Sequence, residues 1–195
     1  MELFRYDERF EYSQDLCAGI VSFGSLSLYN DVENVERLGD ARIDDEEGII
    51  NTFDGVITSH KIFATHTRVF CCSTMQAQHL KEEFGKHVVR ITDAHKFAFL
   101  LSNALENQHF KMGSLMHHLV DYTDESIPLA DYQFIRSQCF TKPKRFSNQY
   151  EYRYAFVEND EPGTGTTQAI ENLNPVRRAI QLPKSEIKGL FEYIK

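Results

Sequence analysis

Apolar positions along the chain fall into short blocks separated by polar or glycine-bearing stretches, and their period changes from block to block. Leu3–Tyr6, Ala18–Phe23, Ile49–Thr58, Thr67–Ser73 and His87–Ile91 are rich in β-branched and aromatic residues and predict strands. Ser25–Leu38 carries Leu28, Val32 and Val35 at helical spacing and meets Gly39, while Met75–Phe84 meets Gly85, so both predict helices with a glycine stop. Asp93 is suited to cap a longer helix in which Phe97, Leu100, Leu101, Ala104 and Leu105 share one face. Further on, Ser114–Tyr122 predicts a strand, Ala130–Cys139 a short helix and Tyr150–Glu158 an alternating strand. Arg178–Leu182 predicts a last strand, and Phe191–Ile194 is apolar enough to dock.

Strands and helices therefore intermingle without a regular βαβ rhythm, and no glycine-rich dinucleotide fingerprint follows a strand. The fold class expected is α+β, a mixed, mainly antiparallel sheet with a few packed helices. Gly39–Gly48 and Asn159–Thr167 read as surface loops because apolar segments resume on either side. With 195 residues, 42% hydrophobic and 26% charged, the chain is expected to form a single globular domain over residues 1–195. Fifteen Phe and nine Tyr supply strand-compatible core material.

The net charge of −8 disfavours non-specific binding to a phosphate backbone. It leaves room for a local basic site, and Lys142, Lys144 and Arg145 form the one dense basic stretch. No apolar run approaches a membrane span and the N-terminus lacks the pattern of a signal peptide, so a cytoplasmic protein without membrane contact is expected. Cys71 and Cys72 are adjacent, Cys17 and Cys139 stand alone, and the spacing suits neither a zinc site nor a disulfide framework.

Candidate chemistry concentrates in Lys142-Pro-Lys-Arg-Phe-Ser-Asn-Gln-Tyr-Glu-Tyr-Arg-Tyr-Ala-Phe156. Strand alternation puts Tyr150, Tyr152, Tyr154 and Phe156 on one face and Glu151, Arg153, Ala155 and Val157 on the other. Glu151 and Arg153 then lie two residues apart at the mouth of the strand, as a surface ion pair or a functional carboxylate–guanidinium pair. Asp44–Glu47 lacks the ligand spacing of an EF-hand, and Gly163-Thr-Gly165 lacks the setting of a P-loop. Strand neighbours His117 and His118 point to opposite faces, cannot chelate together and are read as structural, so no metal is expected.

Arg5 on a first strand, Ser73-Thr74 closing a middle strand and Gln149-x-Glu151 opening a later one occur in a suggestive order. That order resembles the R–S–E class of ADP-ribosyltransferases, although Met75 stands where the third residue of the S-T-S motif falls. A second resemblance spans about three-quarters of the chain. Gly19–Glu33 with its Tyr29-Asn30-Asp31 core, the acidic Arg37–Gly48 loop, Phe70–Ser73 and the closing Gln-x-Glu-x-Arg look like a loosely defined group of bacterial and phage-associated proteins. Some of that group are thought to carry an ADP-ribosyltransferase-like fold and to act as toxins or in anti-phage systems.

The resemblance implies NAD as co-substrate, with Glu151, Arg5 and Ser73 catalytic, and Arg5, Tyr29 and Thr74 holding the nucleotide. Gln149, Lys144 and Arg145 would face a protein or nucleic-acid acceptor. The residue types fit the chemistry. Cleaving a glycosidic bond builds positive charge on the ribose that a fixed carboxylate stabilises, and a guanidinium grips a diphosphate with its planar fork. This reading requires Arg5, Ser73 and Glu151 to converge on one cavity. The alternative is a catalytically inert interaction or inhibitor protein on the same fold, acting through a protein partner or a homo-oligomer, with Glu151 paired to Arg153 or Arg5 in a closed site. A nucleic-acid binder using the basic stretch is the third option.

Overall fold

A computed structural model describes residues 1–26, 67–107, 115–123, 139–157 and 178–194. The segments expected at Ser25–Leu38, Ile49–Thr58 and Ala130–Cys139 fall wholly or mainly outside these residues, as does Tyr29. The strands are β1 (Leu3–Asp7), β2 (Ile20–Ser25), β3 (Thr67–Ser73), β4 (His87–Ile91), β5 (Met116–Leu119), β6 (Asp121–Tyr122), β7 (Thr141–Lys142), β8 (Glu151–Val157), β9 (Arg178–Gln181) and β10 (Phe191–Ile194). The helices are α1 (Phe10–Cys17), α2 (Gln78–Phe84) and α3 (Ala94–Asn107), with a 3₁₀ turn over Lys144–Gln149.

The architecture is α+β. Among the described residues the main sheet runs β10-β4-β1-β3-β2-β9, with β8 on the other side of β3 and β5 beyond it. Every pairing in it is antiparallel, and β6 and β7 form a separate parallel pair. Strand β3 organises the sheet. It pairs along its whole length with β8, while its other edge is shared by β1, at Ser73, and β2, at Arg68 and Val69. The sheet therefore forks between β1 and β2, and α1 fills the fork by packing on β1, β2, β4 and β10.

One face of the sheet carries Leu3, Phe23, Phe70, Cys72, Val89, Ile91, Tyr152, Tyr154 and Phe156, packed against the apolar stripe of α3 and Leu16 of α1. Asp93 caps α3 as its sequence predicts, its Oδ1 accepting the backbone N–H groups of His95 and Lys96. On the opposite face α2 seats Leu80 among Phe4, Tyr6 and Val88, and Leu26, Val69, Cys139, Phe140 and Ala155 form another cluster.

Three local differences from the sequence reading have physical causes. Helix α1 has no counterpart among the expected elements: its buried residues are Ser13 and Leu16, no side chain caps it at Arg9, and tertiary packing rather than an apolar stripe holds it. Helix α2 begins at Gln78 rather than Met75, because the chain is still extended at Ala77, with φ −138° and ψ 147°, where side-chain acceptors hold it. The Met75 N–H bonds Ser73 Oγ, and the Ala77 N–H bonds the Tyr6 hydroxyl. Strand β8 begins at Glu151 rather than Tyr150, which adopts a left-handed conformation with φ 48° and exposes its ring. Gly85 ends α2 with φ 121°, and a Cβ there would lie 2.3 Å from the Glu8 nitrogen.

Candidate functional site

Direct cross-strand partners in an antiparallel pair project to the same face. Ser73 pairs with Glu151 on one side and with Phe4 on the other, so Phe4, Ser73 and Glu151 share a face. Arg5, one residue on from Phe4, shares the opposite face with Leu3 and its partner Val89. Arg5 and Glu151 thus project from opposite sides of the sheet. The expected convergence of Arg5, Ser73 and Glu151 on one cavity is not formed.

On its own face, Glu151 sits in a buried polar cluster. Arg153, two residues along β8 and only 2% exposed, grips both carboxylate oxygens: Nε donates to Oε1 at 2.9 Å and Nη2 to Oε2 at 3.1 Å. The third arm of the guanidinium donates to the Cys139 carbonyl at 2.9 Å. Lys142 places Nζ 3.5 Å from Glu151 Oε2 and donates to Gln149 Oε1 at 3.1 Å. The Glu151 N–H donates to the Tyr122 hydroxyl at 2.8 Å. Burial alone would raise the pKa of the Glu151 carboxyl. The Arg153 and Lys142 charges and the hydrogen bonds from Arg153 and Cys71 outweigh it and hold the group well below the ordinary carboxylate range. Beside it, burial first and the Glu151 charge second push the Cys71 thiol up to about 12, against the pull of Arg153. The Tyr122 hydroxyl is likewise raised by burial and by Glu151.

Ser73 and Thr74 are committed to backbone. The Ser73 hydroxyl donates to the Gln149 carbonyl at 3.0 Å and accepts the Met75 N–H at 3.1 Å. Thr74 gives both its N–H and its hydroxyl to the Tyr150 carbonyl, at 2.9 and 3.2 Å. The Ser-Thr pair therefore clamps the end of the 3₁₀ turn and holds the left-handed Tyr150 in place. Gln149 is buried in the same cluster, whereas Lys144 and Arg145 are exposed on the turn, with Arg145 4.8 Å from the centre of the Phe146 ring.

Arg5 occupies the fork. It bonds Asp7 through Nε at 3.1 Å and the Cys71 carbonyl through Nη1 at 2.7 Å, and it lies 5.1 Å from the centre of the Phe70 ring. A cavity of about 20 Å³ opens beside it between α1, β2 and β3, lined by Asp7, Tyr12, Ser22 and Phe70 among others. That space holds about one water molecule.

Glu151 and Arg153 are not the surface pair that an isolated E-x-R suggests, because both are buried, with Lys142, Tyr122 and the Cys139 carbonyl set against them. Lys142, grouped by sequence with the exposed Lys144 and Arg145, is 6% exposed and belongs to the cluster. Tyr122 and Cys71 are participants that sequence spacing could not reveal, since their contacts cross 29 and 80 residues of chain. Comparisons with protein families, with curated proteins and with solved structures find no match.

Proposed function

We propose that this chain is a catalytically inert interaction protein, in which the Glu151 cluster is a structural clamp rather than a reaction centre. The observation that carries this reading is the bidentate grip of buried Arg153 on Glu151, with Lys142 at the second oxygen. A carboxylate whose two oxygens are both engaged by cations cannot turn to a ribose hydroxyl without breaking a buried ion pair, which is costly. Two further features agree. Arg5 lies across the sheet, its charge matched by Asp7, and the Ser73 hydroxyl is spent on the turn.

One observation favours the NAD-dependent transferase as a second reading. Ser73 and Glu151 are direct cross-strand partners, with Gln149 two residues before the carboxylate. The two readings separate in one assay: nicotinamide release from NAD⁺ by the purified chain, beside the Ser73→Ala and Glu151→Gln variants. The interaction reading expects background release in all three. Release by the unmodified chain that falls to background in Glu151→Gln would overturn it in favour of a transferase.

A further inference from the structure

His117 and His118 point to opposite faces of β5, as strand alternation requires, with His117 paired to Tyr154 and His118 to Arg153 of β8. The neighbour that matters to His117 comes from another element. His95, in the first turn of α3, brings its ring to 6.1 Å from the His117 ring, centroid to centroid and nearly edge-on at 75°. His117 is held on two other sides. Its Nδ1 is 2.6 Å from the Tyr152 hydroxyl, and its ring stacks on Tyr154 at 5.7 Å. This fixes the ring plane and leaves Nε2 as the ring nitrogen that Tyr152 does not engage. Neither that nitrogen nor the His95 ring nitrogens take a hydrogen-bond partner among the described residues.

We propose that His95 and His117 form a two-histidine binding site for a first-row divalent transition-metal ion such as Zn²⁺ or Cu²⁺. Metal-binding histidines characteristically have their second ring nitrogen fixed by a neighbouring group, and the Tyr152 hydroxyl holds that place for His117. With metal–nitrogen bonds of about 2.1 Å and tetrahedral angles, two coordinating rings stand roughly 5 Å apart between centres. A small side-chain rotation of His95, which is exposed on the helix surface, closes the difference. Half-burial first, and then the neighbouring His95 and His118, lower the pKa of His117, and the neutral ring is the ligand form. Among the described residues no third His, Cys, Asp or Glu joins the pair, so water completes the coordination and the affinity is that of a two-ligand site. Imidazole ligands select borderline ions of this kind over Mg²⁺ or Ca²⁺.

The test is a calorimetric titration of the metal-free chain with Zn²⁺ in a non-chelating buffer, followed in parallel by the histidine ring resonances in NMR spectra. The expected result is one saturable site at which the His95 and His117 resonances move together. His95→Ala and His117→Ala are each expected to weaken binding at least tenfold, while His118→Ala binds as the unmodified chain does. His95 is exposed and its replacement leaves the core untouched, so loss of folding cannot imitate the outcome for that variant. Absence of saturable binding, or binding that His95→Ala leaves unchanged, would overturn the proposal.

Discussion

Replacing Glu151 with glutamine keeps the shape of the side chain and removes its charge. In the folded chain this leaves the Arg153 guanidinium, 2% exposed, and the Lys142 ammonium, 6% exposed, without the carboxylate that both address. Removing one partner of a buried ion pair costs about 3–5 kcal/mol, because the remaining charge stays desolvated. The amide in Glu151→Gln retains one carbonyl acceptor for the guanidinium, which places the expected loss near the lower end, about 3 kcal/mol. With a urea m-value of roughly 2–3 kcal/mol/M, the unfolding midpoint should fall by about 1 M or more at unchanged slope. Urea denaturation at pH 7, followed by tyrosine fluorescence and far-UV circular dichroism, reads the shift directly. Adding Arg153→Met to Glu151→Gln should recover part of the loss, since one of the stranded charges goes with it. A midpoint change equivalent to less than about 1 kcal/mol would match an exposed pair and refute the buried-clamp argument.

Three further outcomes follow from the same geometry. The Glu151 carboxyl is lowered in the folded chain from about 4.5 to about 2, so in that window the unfolded chain binds more protons. Its contribution is complete above the upper value and is lost as pH falls toward the lower one, at up to about 1.4 kcal/mol per pH unit. Urea midpoints at pH 5, 4 and 3 should therefore decline less steeply in Glu151→Gln than in the unmodified chain, and parallel declines would contradict the assignment. Gly85→Ala should lower Tm by roughly 4–8 °C, since its Cβ would meet the Glu8 nitrogen at 2.3 Å and the Asp7 carbonyl oxygen at 2.4 Å; an unchanged calorimetric Tm would show that the α2–β1 contact yields freely. Cys71, with its thiol pushed up to about 12, should react with iodoacetamide at pH 8 at least about 100-fold more slowly in the native chain than in urea, because only the thiolate attacks. Peptide mass spectrometry would report the rates, and comparable values would show the cluster to be open.

Periodicity and end signals along the chain determined most of the elements: the alternation of Tyr152, Tyr154 and Phe156, the Asp93 cap, the Gly85 stop and the docking of Phe191–Ile194 all follow from neighbours a few residues apart. The α+β class with a mainly antiparallel sheet follows from the same local rules. Register is another matter. Whether Arg5 stands beside Glu151 or behind it depends on Phe4, rather than Arg5, meeting Ser73. A one-residue difference in pairing exchanges every side chain between the faces of a sheet, and the residues flanking Arg5 do not encode it. Burial escaped the sequence for a related reason. Lys142 and Arg145 belong to one basic stretch, yet Lys142, on β7, is buried beside the Glu151 carboxylate, while Arg145 is exposed on the 3₁₀ turn that follows. Local sequence decides what conformation a segment prefers. Which charges meet, and whether water reaches them, is decided by the long-range packing of β3 and β8 with Tyr122 of β6 and Lys142 of β7.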